Sequence, residues 1–126
     1  MNIPEELKYT KEHEWVRIKD DEAEIGITDF AQGELGDIVF VELPNIGSDV
    51  KKMEAFGTIE AVKAVSEMFS PVSGTVGAVN DMIEEDAGII NKDPYGQGWM
   101  IKVKMSKPEE IDSLLSAHQY KELITE

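Results

Sequence analysis

One lysine stands out in this chain as a residue that could carry chemistry. Lys63 lies in the middle of the segment 57–74, and its side chain ends in an amine that an enzyme could acylate. Its neighbours are apolar, whereas a solvated turn favours Asn, Asp, Gly or Ser. These neighbours are Val62, Ala64 and Val65. The spacing alone leaves two interpretations open: a solvated charge at a turn, which is the simpler one, and a lysine presented for modification.

The residues on both sides of Lys63 predict the element that positions it. Residues 58–62 and 64–69 have the β-branched and aromatic content of strands, and Ser70 with Pro71 ends the second run. Two short strands around one residue predict a hairpin with Lys63 at its tip. Glu60 and Glu67 place an acidic residue on each side of this tip.

The sequence around this lysine resembles a known attachment motif. Residues 60–66, E-A-V-K-A-V-S, are similar to the lipoyl-attachment motif of glycine cleavage system H proteins, in which Lys63 would be the modified residue. Six further segments resemble that family in the family's order: H-E-W-V from 13, I-G-I-T from 25, L-G-D-I-V from 35, S-P-V-S-G from 70, N-K-D-P-Y-G from 91 and G-W-M from 98. The resemblance extends from about Leu7 to Glu122. Several motifs in the family's order and spacing are specific evidence for the resemblance, whereas one tetrapeptide alone would be weak evidence.

The resemblance implies a carrier protein and not an enzyme. Lipoate would be joined to Lys63 by an amide. In the family the lipoyl arm takes the aminomethyl group of glycine from a pyridoxal-phosphate glycine decarboxylase (P protein). It passes the group to a tetrahydrofolate-dependent aminomethyltransferase (T protein) and is reoxidised by dihydrolipoyl dehydrogenase (L protein). A lipoylating enzyme is the fourth expected partner.

The resemblance also implies residues that contact the arm or its partners. Glu60, Ser66 and Glu67 are expected contacts of the arm or of partner enzymes. Glu14, in the H-E-W-V segment, is expected to meet the cationic amine of the loaded arm. No catalytic residue is expected in the chain, because the attached group supplies the chemistry and the protein presents it.

Three other functions would use the same lysine. A biotinyl carrier domain shares the architecture, but that class places its lysine between two methionines, where this chain has Val62 and Ala64. A lipoyl relay protein would store lipoate on Lys63 and donate it to other carriers. A pure interaction module would leave Lys63 unmodified.

The composition limits the possible classes of function. The 126 residues include no cysteine, which excludes disulfides and thiolate metal sites. With 12 basic and 26 acidic residues the net charge is −14, which disfavours nucleic-acid binding and favours partners with basic surfaces. No apolar run reaches the roughly 18 residues of a membrane span. The N-terminus has no targeting pattern, so we expect a cytoplasmic protein of prokaryotic type. We also expect a monomer.

The two histidines predict neither a metal site nor a catalytic triad. His13 has no second histidine four residues further on, and His118 lies in a different part of the chain. Metal sites and Ser-His-Asp sets need several such side chains in one place. We therefore expect no bound metal.

The remaining pattern predicts a mainly β fold. Strand character occurs in residues 13–18, 23–27, 38–43, 72–79 and 99–105. Thr28 is expected to cap a short helix that ends at Gly36, residues 1–8 to form a polar lead-in, and residues 80–88 to form an acidic connection. Many short strands indicate a sandwich or barrel. The resemblance implies the lipoyl-domain-like form, a barrel-sandwich hybrid.

The C-terminal segment predicts a helical appendage. Ser106 to Glu109 fits a capping box with a proline in the first turn, and Ser116 could start a second helix. We expect these helices at about 107–124, a β core at about 13–105, and a single domain over residues 1–126.

Overall fold

The computed structural model describes residues 2–125, and the strands in this part of the chain form two antiparallel sheets. The strands are β1 Lys8–Tyr9, β2 Glu14–Lys19, β3 Glu22–Ile27, β4 Ile38–Glu42, β5 Asp49–Val50, β6 Ala55–Ala61, β7 Val65–Phe69, β8 Gly74–Val79 and β9 Ile101–Met105. The larger sheet has the order β1-β2-β3-β9-β8-β5, and the smaller has the order β4-β6-β7. The predicted mainly β fold is confirmed.

Short helices connect or follow the strands. They are α1 Asp29–Leu35, α2 Asp81–Glu85, α3 Ile89–Lys92, a 3₁₀ helix Pro108–Ser113 and α4 Ala117–Ile124. The predicted caps of α1 are confirmed: Thr28 Oγ1 accepts a hydrogen bond from the Ala31 N–H, and Gly36 ends the helix with a φ of 76°. No helix in residues 2–125 has the length and apolar character needed to cross a membrane.

The main hydrophobic core joins the two sheets. Val16 and Ile25 of the larger sheet belong to the same buried cluster as Val41, Ile59 and Met68 of the smaller one. Each of these side chains is at most 2% exposed. Full burial of such a side chain is favourable by about 1.5–3 kcal/mol, so this layer holds the smaller sheet against the larger.

A second, aromatic cluster covers the other face of β2. The ring centroids of Tyr9 and Tyr120 lie 4.7 Å apart in a stacked arrangement, and both pack with Leu7, Trp15 and Tyr95. A polar lead-in was expected for residues 1–8, of which Met1 lies outside the described residues. Residues 2–8 are more than such a lead-in, because Leu7 is buried and β1 pairs with β2. The sequence does not predict β1, because a strand of two residues is too short to show an alternating pattern.

The acidic connection expected over residues 80–88 contains a short helix that the sequence did not predict. This segment contains α2, and α3 follows directly after it. Asn80 caps α2 by accepting a hydrogen bond from the Met82 N–H at 3.1 Å, and Ile83 and Ile90 are fully buried. Helices of four or five residues bury one side chain each, which leaves no helical period to detect.

The prediction of a capping box at Ser106 is wrong. The Ser106 N–H donates to the Ser73 carbonyl at 3.0 Å, so this residue continues the β8–β9 region. The 3₁₀ helix that begins at Pro108 has no side-chain cap. The capping box lies instead at Ser116 and Gln119, at the start of α4.

Gly26 gives a test of the aromatic packing. It lies opposite Trp15 in the β2–β3 register, and a Cβ at this position would come within 2.7 Å of the Trp15 indole. The indole is held by a 2.9 Å hydrogen bond from Nε1 to the Pro94 carbonyl. We expect Gly26→Ala to lower the free energy of unfolding by about 1–3 kcal/mol, measured by urea denaturation.

Gly33 provides the matched control. It lies inside α1, and a Cβ there would meet no atom within 4 Å. Gly33→Ala should leave the free energy of unfolding unchanged or raise it by about 0.5–1 kcal/mol, because alanine has the higher helix propensity. Equal urea midpoints for Gly26→Ala and the wild type would contradict the packing described for Trp15.

Candidate functional site

Lys63 lies at the tip of the β6–β7 hairpin, as predicted. The two strands pair up to Glu60 and Val65, and the Ala61 N–H donates to the Ala64 carbonyl at 2.7 Å. Lys63 lies in the turn beyond these pairs, and its side chain is exposed. Its amine is therefore accessible from solvent at a defined end of the smaller sheet.

The turn that follows α1 supports this tip. The Val62 N–H donates to the Asp37 carbonyl at 3.0 Å. A Cβ built on Gly36 would lie 3.6 Å from Cε of Lys63, so the lysine stem lies against the same turn. The hairpin tip thus has a tertiary support that its own sequence pattern does not indicate.

Four apolar side chains are exposed around the tip: Val39 at 55%, Phe40 at 49%, Val62 at 76% and Val65 at 69%. Phe40, Glu60 and Val65 form one cross-strand row. The sequence pattern does not indicate that Val39 and Phe40 are exposed, since simple alternation would bury Phe40 together with Ile38. A register shift between Ile38 and Phe40 turns Val39 and Phe40 outward, and no local signal predicts it.

Three of the four predicted contact residues lie on the hairpin that carries Lys63. Glu60 on β6 and Ser66 and Glu67 on β7 are all exposed. Ser66 pairs with Ile59, and Glu67 pairs with Thr58. The structure therefore places these three side chains on the same hairpin as the tip.

Glu14 lies elsewhere. It begins β2, and its side chain is buried, with 1% exposure. One carboxyl oxygen accepts a 2.6 Å hydrogen bond from the Thr10 hydroxyl, and the other accepts a 3.2 Å bond from the Phe69 N–H. Phe69 is six residues beyond Lys63 along β7, which corresponds to about 20 Å of strand. The structure does not bring Glu14 to the hairpin tip.

The burial of Glu14 changes its acidity. Removal from water disfavours the charged carboxylate and raises the pKa of Glu14 to about 7, although the hydrogen bonds from Thr10 and Phe69 act in the opposite direction. A carboxyl group with this pKa changes charge near neutral pH.

The two histidines are in separate environments. His13 Nδ1 lies 2.9 Å from the Tyr120 hydroxyl, and burial lowers the pKa of His13. His118 on α4 lies 3.2 Å from Glu122 and is exposed. Among residues 2–125, no group of three His, Asp or Glu side chains is placed to hold a metal ion.

Two packed antiparallel sheets that present one lysine on an exposed hairpin match the arrangement expected of a carrier protein with a covalently attached cofactor. Comparisons with known proteins identify the family. A family model described as "Glycine cleavage H-protein" matches residues 7–126. The chain is 54% identical over 126 residues to the glycine cleavage system H protein of Staphylococcus carnosus, with all of both chains covered.

A second relative and a solved structure agree with this match. The glycine cleavage system H protein of Geobacillus kaustophilus is 54% identical over 126 residues, covering 100% of this chain and 99% of the relative. The crystal structure of a glycine cleavage system H protein from Mycobacterium marinum has a TM-score of 0.92 at 36% identity, covering 98% of this chain and 100% of that one. The chain belongs to the glycine cleavage H-protein family.

Membership in this family establishes the general function. The chain is a lipoyl carrier component of the glycine cleavage system and is not itself an enzyme. The family carries its lipoate on a lysine. The match to a solved member also confirms the predicted lipoyl-domain-like fold with its C-terminal helix.

Glu14 gives a test of the buried carboxyl. Because its pKa is raised from 4.5 to about 7 on folding, the folded state binds more protons than the unfolded state between these values. The free energy of unfolding therefore contains a favourable contribution from Glu14 at low pH that is lost as pH rises through about 7. Glu14→Gln has no carboxyl group to titrate, so its free energy of unfolding does not suffer this loss. The difference in free energy of unfolding between the variant and the wild type should therefore shift in favour of the variant by up to about 3 kcal/mol from pH 4 to pH 8.

The measurement is chemical denaturation of both proteins across this pH range. Comparing the variant with the wild type cancels the titration of other groups, including His13. Glu85, exposed on α2 and not among the charges that shift the pKa of Glu14 or His13, gives the control Glu85→Gln, whose pH dependence should follow the wild type. A constant difference between Glu14→Gln and the wild type at all pH values would contradict the assignment.

Proposed function

We propose that Lys63 is the residue that carries lipoate, through an amide between its Nζ and the lipoyl carboxyl group. The supporting observation is its position, at the exposed tip of the hairpin and inside the segment 60–66 that resembles the lipoyl-attachment motif. The exposed side chains of Val62 and Val65 next to it fit the hydrocarbon part of such an arm.

The attached group and the protein would have separate tasks. Bound lipoate would supply a redox-active disulfide that carries the aminomethyl group of glycine from the decarboxylase to the aminomethyltransferase, and dihydrolipoyl dehydrogenase would reoxidise the dithiol that remains. The chain holds the Nζ of Lys63 outward on a paired hairpin, so that separate active sites can reach it. Amide formation removes the charge of Lys63, which changes the formal charge from −14 to −15.

The contact residues are part of the proposal. Glu60, Ser66 and Glu67 lie on the same hairpin as Lys63, so they would meet the lipoylating enzyme, a partner enzyme or the arm itself. Glu14 would be the partner of the cationic amine on the loaded arm. Its two carboxyl oxygens already accept hydrogen bonds from Thr10 and Phe69, so the amine would compete with these donors.

The proposal extends to the partners and the setting of the protein. We propose that the whole chain, residues 1–126, acts as one lipoyl-bearing domain and as a monomer. Its partners would be the P, T and L proteins and a lipoylating enzyme. The similar proteins come from bacteria, which supports the bacterial cytoplasm as the location.

Replacing the lysine tests the attachment site. Lys63→Arg keeps a positive charge at an exposed turn, so the thermal midpoint should stay within about 1 °C of the wild type. A guanidinium does not take the place of the amine in the lipoyl amide, so lipoylation should be lost. The measurement is intact mass and peptide mapping after incubation with a lipoylating enzyme, lipoate and ATP.

Lys51→Arg is the matched control, because Lys51 is also exposed but lies outside the hairpin tip. This variant should be lipoylated like the wild type. Lipoate found on another lysine, with Lys63 always free, would exclude the proposed site. A thermal midpoint lowered by several degrees in Lys63→Arg would indicate a structural role instead.

The acidic surface predicts electrostatic steering of partners. A net charge of −14 should accelerate encounter with basic surfaces, and salt screens such attraction over about 8 Å at physiological ionic strength. We expect the association rate of the lipoylated protein with glycine decarboxylase to fall several-fold as the salt concentration rises from 50 to about 500 mM. Stopped-flow kinetics across this series gives the rate.

A pair of double variants locates the steering. Glu60→Gln with Glu67→Gln removes two charges from the hairpin, and Glu84→Gln with Glu85→Gln removes two exposed charges from α2. If the association rate depends less on salt in the Glu60/Glu67 double variant but not in the Glu84/Glu85 one, the steering lies at the hairpin. A rate that does not change with salt in the wild type would mean that the acidic residues serve solubility only.

A further inference from the structure

We infer that Asn91 is a positioning residue for the Lys63 tip, because its side-chain amide clamps the turn of residues 36–38 against which this tip is held. Its importance rests on the proposed function, in which an enzyme must recognise Lys63 in a defined position. The segment that begins at Asn91 resembles a family segment, but the sequence alone gives the asparagine no role.

The clamp consists of three side-chain hydrogen bonds. Asn91 Oδ1 accepts a bond from the Ile38 N–H at 2.9 Å. Its Nδ2 donates to the Gly36 carbonyl at 2.8 Å and to Gln32 Oε1 at 2.9 Å. The one amide therefore binds the backbone on both sides of Asp37 and also the last turn of α1.

The clamped turn is the part of the structure that touches the hairpin tip. The Asp37 carbonyl, between the two clamped residues, accepts the hydrogen bond from the Val62 N–H. Gly36 lies against the stem of Lys63. A displacement of this turn would therefore move or release the two residues that form the tip.

The turn needs an external support because of its own residues. Gly36 has a φ of 76°, and glycine leaves the backbone free to adopt many other conformations. The Gly36 carbonyl and the Ile38 N–H would lose their partners if the amide were removed. Asparagine supplies both an acceptor and donors at this length, whereas aspartate would keep the acceptor and lose the donors.

Native-state hydrogen exchange at Val62 tests the clamp directly. In Asn91→Ala we expect the Val62 amide to exchange about tenfold faster or more, because the turn that carries its acceptor is no longer held. KM for lipoylation should rise as the inverse of the fraction of molecules that still present the tip in the recognised position, while kcat stays unchanged.

Asn80 gives the matched control. Its amide also makes three side-chain hydrogen bonds, donating to the carbonyls of Gln97 and Trp99 and accepting from the Met82 N–H. None of these bonds involves the turn 36–38 or the hairpin tip. Asn80→Ala should therefore lower global stability without a specific change at Val62 or in the KM for lipoylation.

Asn91→Asp serves as the second variant if Asn91→Ala does not fold. It retains the acceptor for the Ile38 N–H but loses both donations, so the same changes should appear. The inference is overturned if Val62 exchange in both variants rises no more than in Asn80→Ala at matched global stability. It is also overturned if the Val62 amide loses its protection completely while the KM for lipoylation is unchanged.

The exchange measurement separates this inference from the proposed function. If wild-type Lys63 is never lipoylated, the proposed attachment site fails, and the role of Asn91 in recognition fails with it. Faster exchange at Val62 would then still establish the clamp as a feature of the fold. If Lys63 is lipoylated and Val62 exchange is unaffected by Asn91→Ala, the inference alone fails.

Discussion

The hydrogen bond between the Val62 N–H and the Asp37 carbonyl is the contact on which presentation of Lys63 depends. The β6–β7 hairpin pairs with β4 on one side only, so its tip gains stability from further support. The inner face of the hairpin is anchored by Ile59 and Met68 in the main core. Its outer end is held by the turn after α1. These two supports let the lysine remain exposed while its backbone stays in place.

The smaller sheet has two faces with different tasks. Its inner face packs on the larger sheet, whereas its outer face exposes Phe40 and Val65 beside the acidic Glu60. Exposed apolar side chains next to one another are characteristic of surfaces that bind something else. In a lipoyl carrier, the apolar side chains of this face suit an apolar arm. The acidic side chains beside them suit the basic surface of an enzyme.

A buried carboxyl group lies at the opposite end of this hairpin. Glu14 is buried between β2 and β7, and the cost of burying its charge appears as a raised pKa. Its carboxyl also satisfies the Phe69 N–H at the end of β7, an edge strand of the smaller sheet. An edge strand exposes backbone groups, so this bond joins the two sheets where strand pairing cannot. The protonation state of one carboxyl group is thereby coupled to the packing of the hairpin base.

The sequence by itself determined the features that depend on neighbouring residues: the β6–β7 hairpin with Lys63 at its tip, the caps of α1 and the family resemblance. Only the tertiary structure decided that Glu14 is buried, that a register shift turns Phe40 outward, and that Asn91 holds the turn beneath the tip. The Asn91 bonds join residues 53 to 59 positions apart in the chain. Local patterns report strand and helix periods, whereas burial and such distant hydrogen bonds arise only when the two sheets and the helices pack together.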